Sequence, residues 1–132
     1  KNHTIRATLD SLCYQVNDVL DAMSADSGIR LSTLKVAGGA AANNYLLQTQ
    51  ADISNAPVER PSSVETTALG AAYLAGLAVG FWSGPEELAK KHAIDKMFVP
   101  DISEEERRKR LRGWHKAVRC AYNWARDDDE DE

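Results

Sequence analysis

The segment Leu34-Lys-Val-Ala-Gly-Gly-Ala-Ala-Ala-Asn43 holds the residues of this chain best suited to receive a small polar molecule. Gly38 and Gly39 permit a sharp turn and leave no Cβ between the backbone and a neighbour. The N–H groups that follow open a predicted helix, and such a helix start favours polar or anionic groups. Asn43 offers a donor and an acceptor in one plane, the pattern that pairs with the N6 and N7 edge of adenine. These types at this spacing point to nucleotide recognition. A plainer reading stands beside it: a turn that needed glycine, followed by an asparagine that caps the helix. Gly-Gly alone does not separate the two.

The elements that must hold this segment can be read from periodicity. Leu31 to Val36 is a strand candidate, and a helix is predicted from about Ala40 to Ser54, with Leu46, Leu47, Gln50 and Ile53 toward one side and Asn43 in its first turns. Asn55 and Pro57 end it, and Val58-Glu59-Arg60 reads as a second strand before Pro61. Strand, helix and strand in so short a span imply a βαβ unit with parallel strands and a right-handed crossover. Ligands of such folds bind at the carboxyl ends of strands, where Gly38 falls.

Upstream, Ile5, Leu9, Leu12, Val16, Val19, Leu20 and Met23 make one apolar stripe on a helix from about Thr4 to Ala25, which Gly28 ends in a left-handed cap. Downstream, Ser62-x-x-Glu65 fits a capping box opening a third helix that runs to about Val79. That helix carries Gly70, Ala71, Ala72, Ala75, Gly76 and Ala78, small residues that suit close packing. The nearly apolar run from Ala68 to Trp82 is short for a bilayer span, so a buried helix is expected. Gly84-Pro85-Glu86-Glu87 starts a short helix, and Met97-Phe98-Val99 is extended. Ser103-x-x-Glu106 starts the last helix, with Leu111, Trp114, Val118, Ala121 and Ala125 facing inward. Its basic run Arg107-Arg-Lys-Arg110 lies beside Glu104, Glu105 and Glu106, so pairing along a solvated helix is expected rather than a nucleic-acid patch.

Composition narrows the class. The 132 residues are 43% hydrophobic and 27% charged, in the range of a globular domain. The net charge of -4 comes from the tail Asp127-Asp-Asp-Glu-Asp-Glu132, which is expected to stay solvated. Without it, 16 basic residues face 14 acidic ones, and nothing argues for nucleic acid or an anionic membrane as partner. Cys13 and Cys120 are far apart and suit a reducing compartment, which points to the cytoplasm. His3, His92 and His115 lack metal-ligand spacing, so no metal site is expected, and no Ser/His/Asp set is recognisable.

The longer string is more specific. Ala37-Gly-Gly-Ala-Ala-Ala-Asn-Asn-Tyr-Leu-Leu-Gln-Thr-Gln-Ala-Asp-Ile53, then Val58-Glu-Arg-Pro61, then Glu65-Thr-Thr-Ala-Leu-Gly-Ala-Ala-Tyr-Leu-Ala-Gly-Leu-Ala-Val-Gly-Phe-Trp82 resembles the FGGY carbohydrate kinases, and among them the members that phosphorylate glycerol. The likeness runs from Arg6-Ala-Thr-Leu9 to Trp114-His-Lys-Ala-Val118, nearly the whole chain apart from the tail. It implies an α/β fold, part of an actin-like ATPase (ribonuclease H-like) domain with a mixed sheet and packed helices. Residues 1–126 would be the C-terminal portion of the nucleotide-binding domain, and 127–132 an acidic tail. Gly38, Gly39 and Asn43 would line the adenine side of an ATP pocket.

The implied activity is transfer of the ATP γ-phosphate to glycerol, with ATP, glycerol and the rest of the kinase chain as partners and Mg2+ held outside this chain. A homo-oligomer is left open. The same likeness implies that the catalytic base, the glycerol contacts and the main phosphate-binding turns lie before Lys1, so the isolated chain is expected to be inactive. The family usually carries Asp immediately before the glycine pair, where this chain has Ala37. Two alternatives therefore stay open: a kinase of another polyol or sugar in the family, and a non-catalytic nucleotide-binding or interaction module.

Overall fold

A 26-residue helix, α1 (Asn2–Ser27), begins the chain and stops where Gly28 takes φ 69° and donates its N–H to the Ser24 carbonyl. Only glycine adopts that cap without a Cβ penalty, which is the stop expected from sequence. The computed structural model describes residues 1–63, 65–90 and 93–122, apart from the side chains of Ala89 and Lys90. His92, Ala125 and the acidic tail lie outside the described residues. Two compact units are distinguished, Lys1–Asp101 and Ile102–Glu132.

In the first unit, β1 (Leu34–Lys35) pairs in parallel with β2 (Val58–Pro61), Leu34 opposite Val58 and Lys35 opposite Glu59. On its other side β2 pairs antiparallel with β3 (Ile94–Phe98), Val58 opposite Phe98 and Arg60 opposite Lys96, with an irregularity between Arg60 and Pro61. Pro61 lacks an N–H for the ladder, and a bulge is where a sheet tolerates it. The order β1-β2-β3 makes a small mixed sheet. β1 is shorter than the predicted Leu31–Val36, because only two of its residues meet β2. Val36 nevertheless extends the pairing by donating its N–H to the Glu59 carbonyl at 3.1 Å.

Between β1 and β2 the chain forms a short 3-10 turn (Gly39–Ala42) and then α2 (Asn44–Ser54). The helix closes at Asn55, held in the left-handed conformation with φ 50°. Ala41, Leu47, Ala51, Val58 and Phe98 form the core, with Leu34 and Val36 packed against it. The apolar face of α2 therefore covers the sheet, and its opposite side meets α1.

The α1–α2 contact departs from the sequence expectation. The buried residues of α1 are Cys13 and Asn17, while Ile5, Leu12, Val16, Val19 and Met23 of the apolar stripe are exposed. Polar side chains make the contact: Tyr45 Oη donates to Asp10 Oδ1 at 2.5 Å, Gln50 Nε2 to the Cys13 carbonyl at 3.4 Å, and Cys13 Sγ to the Leu46 carbonyl at 3.5 Å. Burial, and secondarily the charge of Asp10, pushes the Cys13 thiol up to about 12. The unfolded chain's thiol ionises near its ordinary value of 9.0. The stability Cys13 contributes is thus complete below that pH and is lost as pH rises through about 12. We expect an aromatic disulfide reagent at pH 8 to label the exposed Cys120 in the folded protein and Cys13 only after urea unfolding. Rapid labelling of both would contradict the burial.

α3 (Thr66–Ala78) begins at Glu65 with no side-chain cap, so the expected Ser62–Glu65 box does not form. Ser62 instead donates its backbone N–H to the Ala93 carbonyl at 2.8 Å, which extends the sheet edge past β2 and draws Ser62 away from the helix start. α3 buries no residue in this chain, against the expectation of a buried helix; Leu74 and Val79 are 72% and 81% exposed. The physical reason is that, among the described residues, only the Trp82 fold-back lies over its small, apolar surface. Gly76 does serve a packing need: a Cβ there would run into the Trp82 ring, which folds back over the helix against Tyr73 and Phe81. Gly80, with φ 72°, makes that reversal possible. α4 (Pro85–Lys90) starts at the expected proline, its first turn tied by Ser83 Oγ and N donating to Glu87 Oε2, both at 3.0 Å.

The second unit contains α5 (Glu104–Cys120), capped by Ser103 Oγ accepting from the Glu106 N–H at 3.2 Å. The expected pairing along this helix is present: Glu104 accepts from Arg107 and Arg108, and Glu106 from Arg110. Arg107 and Arg108 hold the Glu104 carboxyl down to about 2. Among the described residues no helix is long and apolar enough to cross a membrane.

Candidate functional site

The turn between β1 and α2 is anchored from below. Ala41 is 2% exposed and packs into the core with Leu47 and Val58, so the 3-10 turn is fixed at its centre. Two backbone bonds shape it, Ala41 N–H to the Gly38 carbonyl at 3.0 Å and Asn43 N–H to the Ala40 carbonyl at 3.1 Å. Gly38 has φ 87° and ψ 172°, a conformation open in practice to glycine alone. The backbone needs this glycine to leave β1 and enter the turn.

Gly39 has a different reason to be glycine. Its φ is unremarkable, and a Cβ built on it would find nothing within 4 Å. Neither conformation nor packing within this chain requires the missing side chain. The surface beside Gly39 is bare backbone that another molecule can approach closely. Ala37, Gly38, Gly39, Ala40, Ala42 and Asn43 are all exposed along this rim.

Asn43 lies one step outside its predicted place. It is the N-cap of α2 rather than a residue of its first turns, because the chain makes the 3-10 turn first and Asn43 takes an extended conformation, φ -84° and ψ 105°. Its Oδ1 accepts from the Leu46 N–H at 3.1 Å. The capping reading of Asn43 is therefore real, and it uses one half of the amide. The Nδ2 half makes no hydrogen bond among the described residues and stays on the exposed rim.

The structure thus brings Gly38, Gly39 and Asn43 together on one exposed turn. It adds residues that sequence reasoning passed over. Arg60 on β2 reaches under the turn, with Nη1 donating to Asn44 Oδ1 at 2.8 Å and to the Ala41 carbonyl at 3.2 Å. Tyr45 follows directly, with the Arg6 guanidinium 5.5 Å over its ring. Burial and the bond to Asp10 raise its hydroxyl above the ordinary tyrosine value. The signal for Arg60 was a charged residue inside a short strand of a parallel unit, at a position facing the turn. Among the described residues no group of three or more His, Cys, Asp or Glu side chains is placed to hold a metal ion. The turn itself offers amides, carbonyls and an alanine at position 37, a poor set for Mg2+.

A strand, a glycine turn and a helix, with a second parallel strand beside the first, make an α/β segment whose open face lies at the strand's carboxyl end, where ligands of such folds bind. Residues 1–79 match the FGGY family of carbohydrate kinases, C-terminal domain, and the chain belongs to that family. A glycerol kinase of Agathobacter rectalis is 62% identical over 128 residues, covering 97% of this chain and 26% of that protein. The crystal structure of Plasmodium falciparum glycerol kinase with ADP superposes with a TM-score of 0.80 at 33% identity, covering 91% of this chain and 24% of that one. Gluconate kinase from Lactobacillus acidophilus, at 21% identity and a TM-score of 0.71, shares the fold. The chain spans about a quarter of the length of the relatives it matches.

Proposed function

We propose that this chain forms the adenine side of the ATP pocket in a glycerol kinase, with Gly38, Gly39 and Asn43 as its nucleotide contacts. The full-length protein transfers the γ-phosphate of ATP to a terminal hydroxyl of glycerol. The observation that carries the reading is Gly39: it is the bare rim residue whose missing side chain nothing among the described residues explains. The high identity to glycerol kinases supports the substrate assignment.

In this reading the turn binds and orients. The Gly38–Gly39 backbone lets the purine lie close, and Asn43 Nδ2 donates to its edge while Oδ1 keeps the cap. Transfer of a phosphoryl group rests on positioning and charge stabilisation. In the same reading the general base, the phosphate-binding turns and the Mg2+ ligands lie in the rest of the protein; among the described residues here no group of His, Cys, Asp or Glu is placed to hold a metal ion. The cytoplasm is the proposed compartment, supported by two unpaired cysteines.

Glycerol-dependent release of ADP from ATP by the purified full-length protein tests the proposal, with the isolated 132-residue chain expected to show none. Turnover of another polyol or sugar in preference to glycerol would move the assignment within the family. Ala37 is the one observation favouring a non-catalytic module. An Ala37→Asp variant that gains turnover from an inactive parent would establish that second reading.

A further inference from the structure

We propose that Arg60 is a positioning residue for nucleotide binding, holding the 39–44 turn in its receptive shape; this rests on the proposed kinase reading. One guanidinium joins four elements. Nε and Nη2 both lie 2.7 Å from Asp95 Oδ2 on β3. Nη1 donates to the carbonyls of Ala41 and Ala42, at 3.2 and 3.4 Å, and to Asn44 Oδ1 at 2.8 Å. The guanidinium carbon also lies 5.5 Å from the centroid of the Phe98 ring.

The two carbonyls close the 3-10 turn, and the last carbonyls of a helical turn have no partner within it. Arg60 supplies that partner and places positive charge where the turn's dipole is negative. Its side chain is only 14% exposed, while Asp95, Ala42 and Asn44 lie at the surface, so the guanidinium is held in place and its bonds are charge-assisted. Ala40, Ala41 and Ala42 separate Gly39 from Asn43, two of the three proposed contacts. The bonds of Arg60 therefore set the spacing and angle between those contacts without reaching the rim. A lysine cannot reproduce them, because its single ammonium lacks the planar fork that spans carboxylate, carbonyl and amide at once.

The test uses full-length Arg60→Lys and Asp95→Asn. Arg60→Lys is expected to raise the KM for ATP about tenfold, the usual worth of hydrogen bonds to a charged group, while the KM for glycerol stays at its parent value. Asp95→Asn, which leaves the turn bonds in place, is expected to shift the KM for ATP less and in the same direction. A second measurement needs no activity: amide hydrogen exchange of Ala41 and Asn43 should accelerate in Arg60→Lys, with the α2 amides from Leu47 to Ile53 still protected. Accelerated exchange across all of α2 and β2, or an unchanged turn, would overturn the positioning role. A parent protein without kinase activity would sink the functional reading, and the exchange data would still decide whether Arg60 holds the turn.

Discussion

Gly38→Ala and Gly39→Ala are expected to separate a glycine required by the backbone from a glycine required by the ligand. Gly38 sits at φ 87° and ψ 172°, so alanine there is strained although a Cβ would meet no neighbour. We expect Gly38→Ala to lower the stability of the full-length protein by about 1–3 kcal/mol, the usual cost of that backbone region. The turn would relax toward a conformation alanine accepts, displacing Gly39 and Asn43, and ATP affinity would fall at least about tenfold, since such misplacement forfeits directed contacts. Gly39→Ala meets neither strain nor neighbour. Its melting temperature should match the parent, because a surface substitution of this kind stays within about 0.5 kcal/mol. Its KM for ATP should rise with the KM for glycerol unchanged. Thermal melts with steady-state kinetics on both variants check the pair. An unchanged KM for ATP in Gly39→Ala would remove the adenine-wall assignment, and a large drop in its melting temperature would show that protein, not nucleotide, fills the space.

Asn43 calls for a different separation, since one side chain has two tasks. Asn43→Ala removes the Oδ1 bond to Leu46 N–H and is expected to cost about 1 kcal/mol of stability, as for other helix caps. Asn43→Asp keeps an acceptor at the same place, in a position where the helix dipole favours a carboxylate. It lacks the amide N–H that would donate to the purine. We expect Asn43→Asp to melt at or above the parent temperature and to raise the KM for ATP about tenfold, the effect of losing one well-placed hydrogen bond and leaving its partner unsatisfied. Asn43→Ala would show both losses. Parent-like ATP kinetics in Asn43→Asp would leave Asn43 as a cap and nothing more.

Local rules made much of the frame legible from the residues themselves. Gly28, Asn55, Pro85 and Ser103 each act where a single residue's conformation or hydrogen bond decides an element's end. The βαβ order and the parallel pairing of β1 and β2 followed from the spacing of the apolar runs. Less legible were features set by competition between bonds. Ser62 carries the pattern of a helix cap, yet its N–H goes to Ala93 and the box is lost. Asn43 was placed inside a helix because periodicity does not distinguish a 3-10 turn from the first turn of α2. Arg60 was passed over because its partners lie 16 to 35 residues away, beyond any local pattern. The burial expected for α3 and for the α1 stripe failed for a related reason. An apolar surface tells which side seeks cover, and the cover need not come from the same stretch of chain.

The polar character of the α1–α2 contact bears on how the two helices are kept in register. A helix held by greasy side chains can slide by a turn and lose little. α1 is held instead by Asp10 to Tyr45, the Cys13 carbonyl to Gln50 and the Cys13 thiol to the Leu46 carbonyl. A one-turn slip would leave each of these groups without its present partner. The register of α1 on α2 is thus marked by directional bonds that do not involve its exposed apolar stripe. A partner covering Ile5, Val16 and Met23 would meet a helix whose phase against α2 these bonds already favour, adding adhesion rather than choosing the alignment.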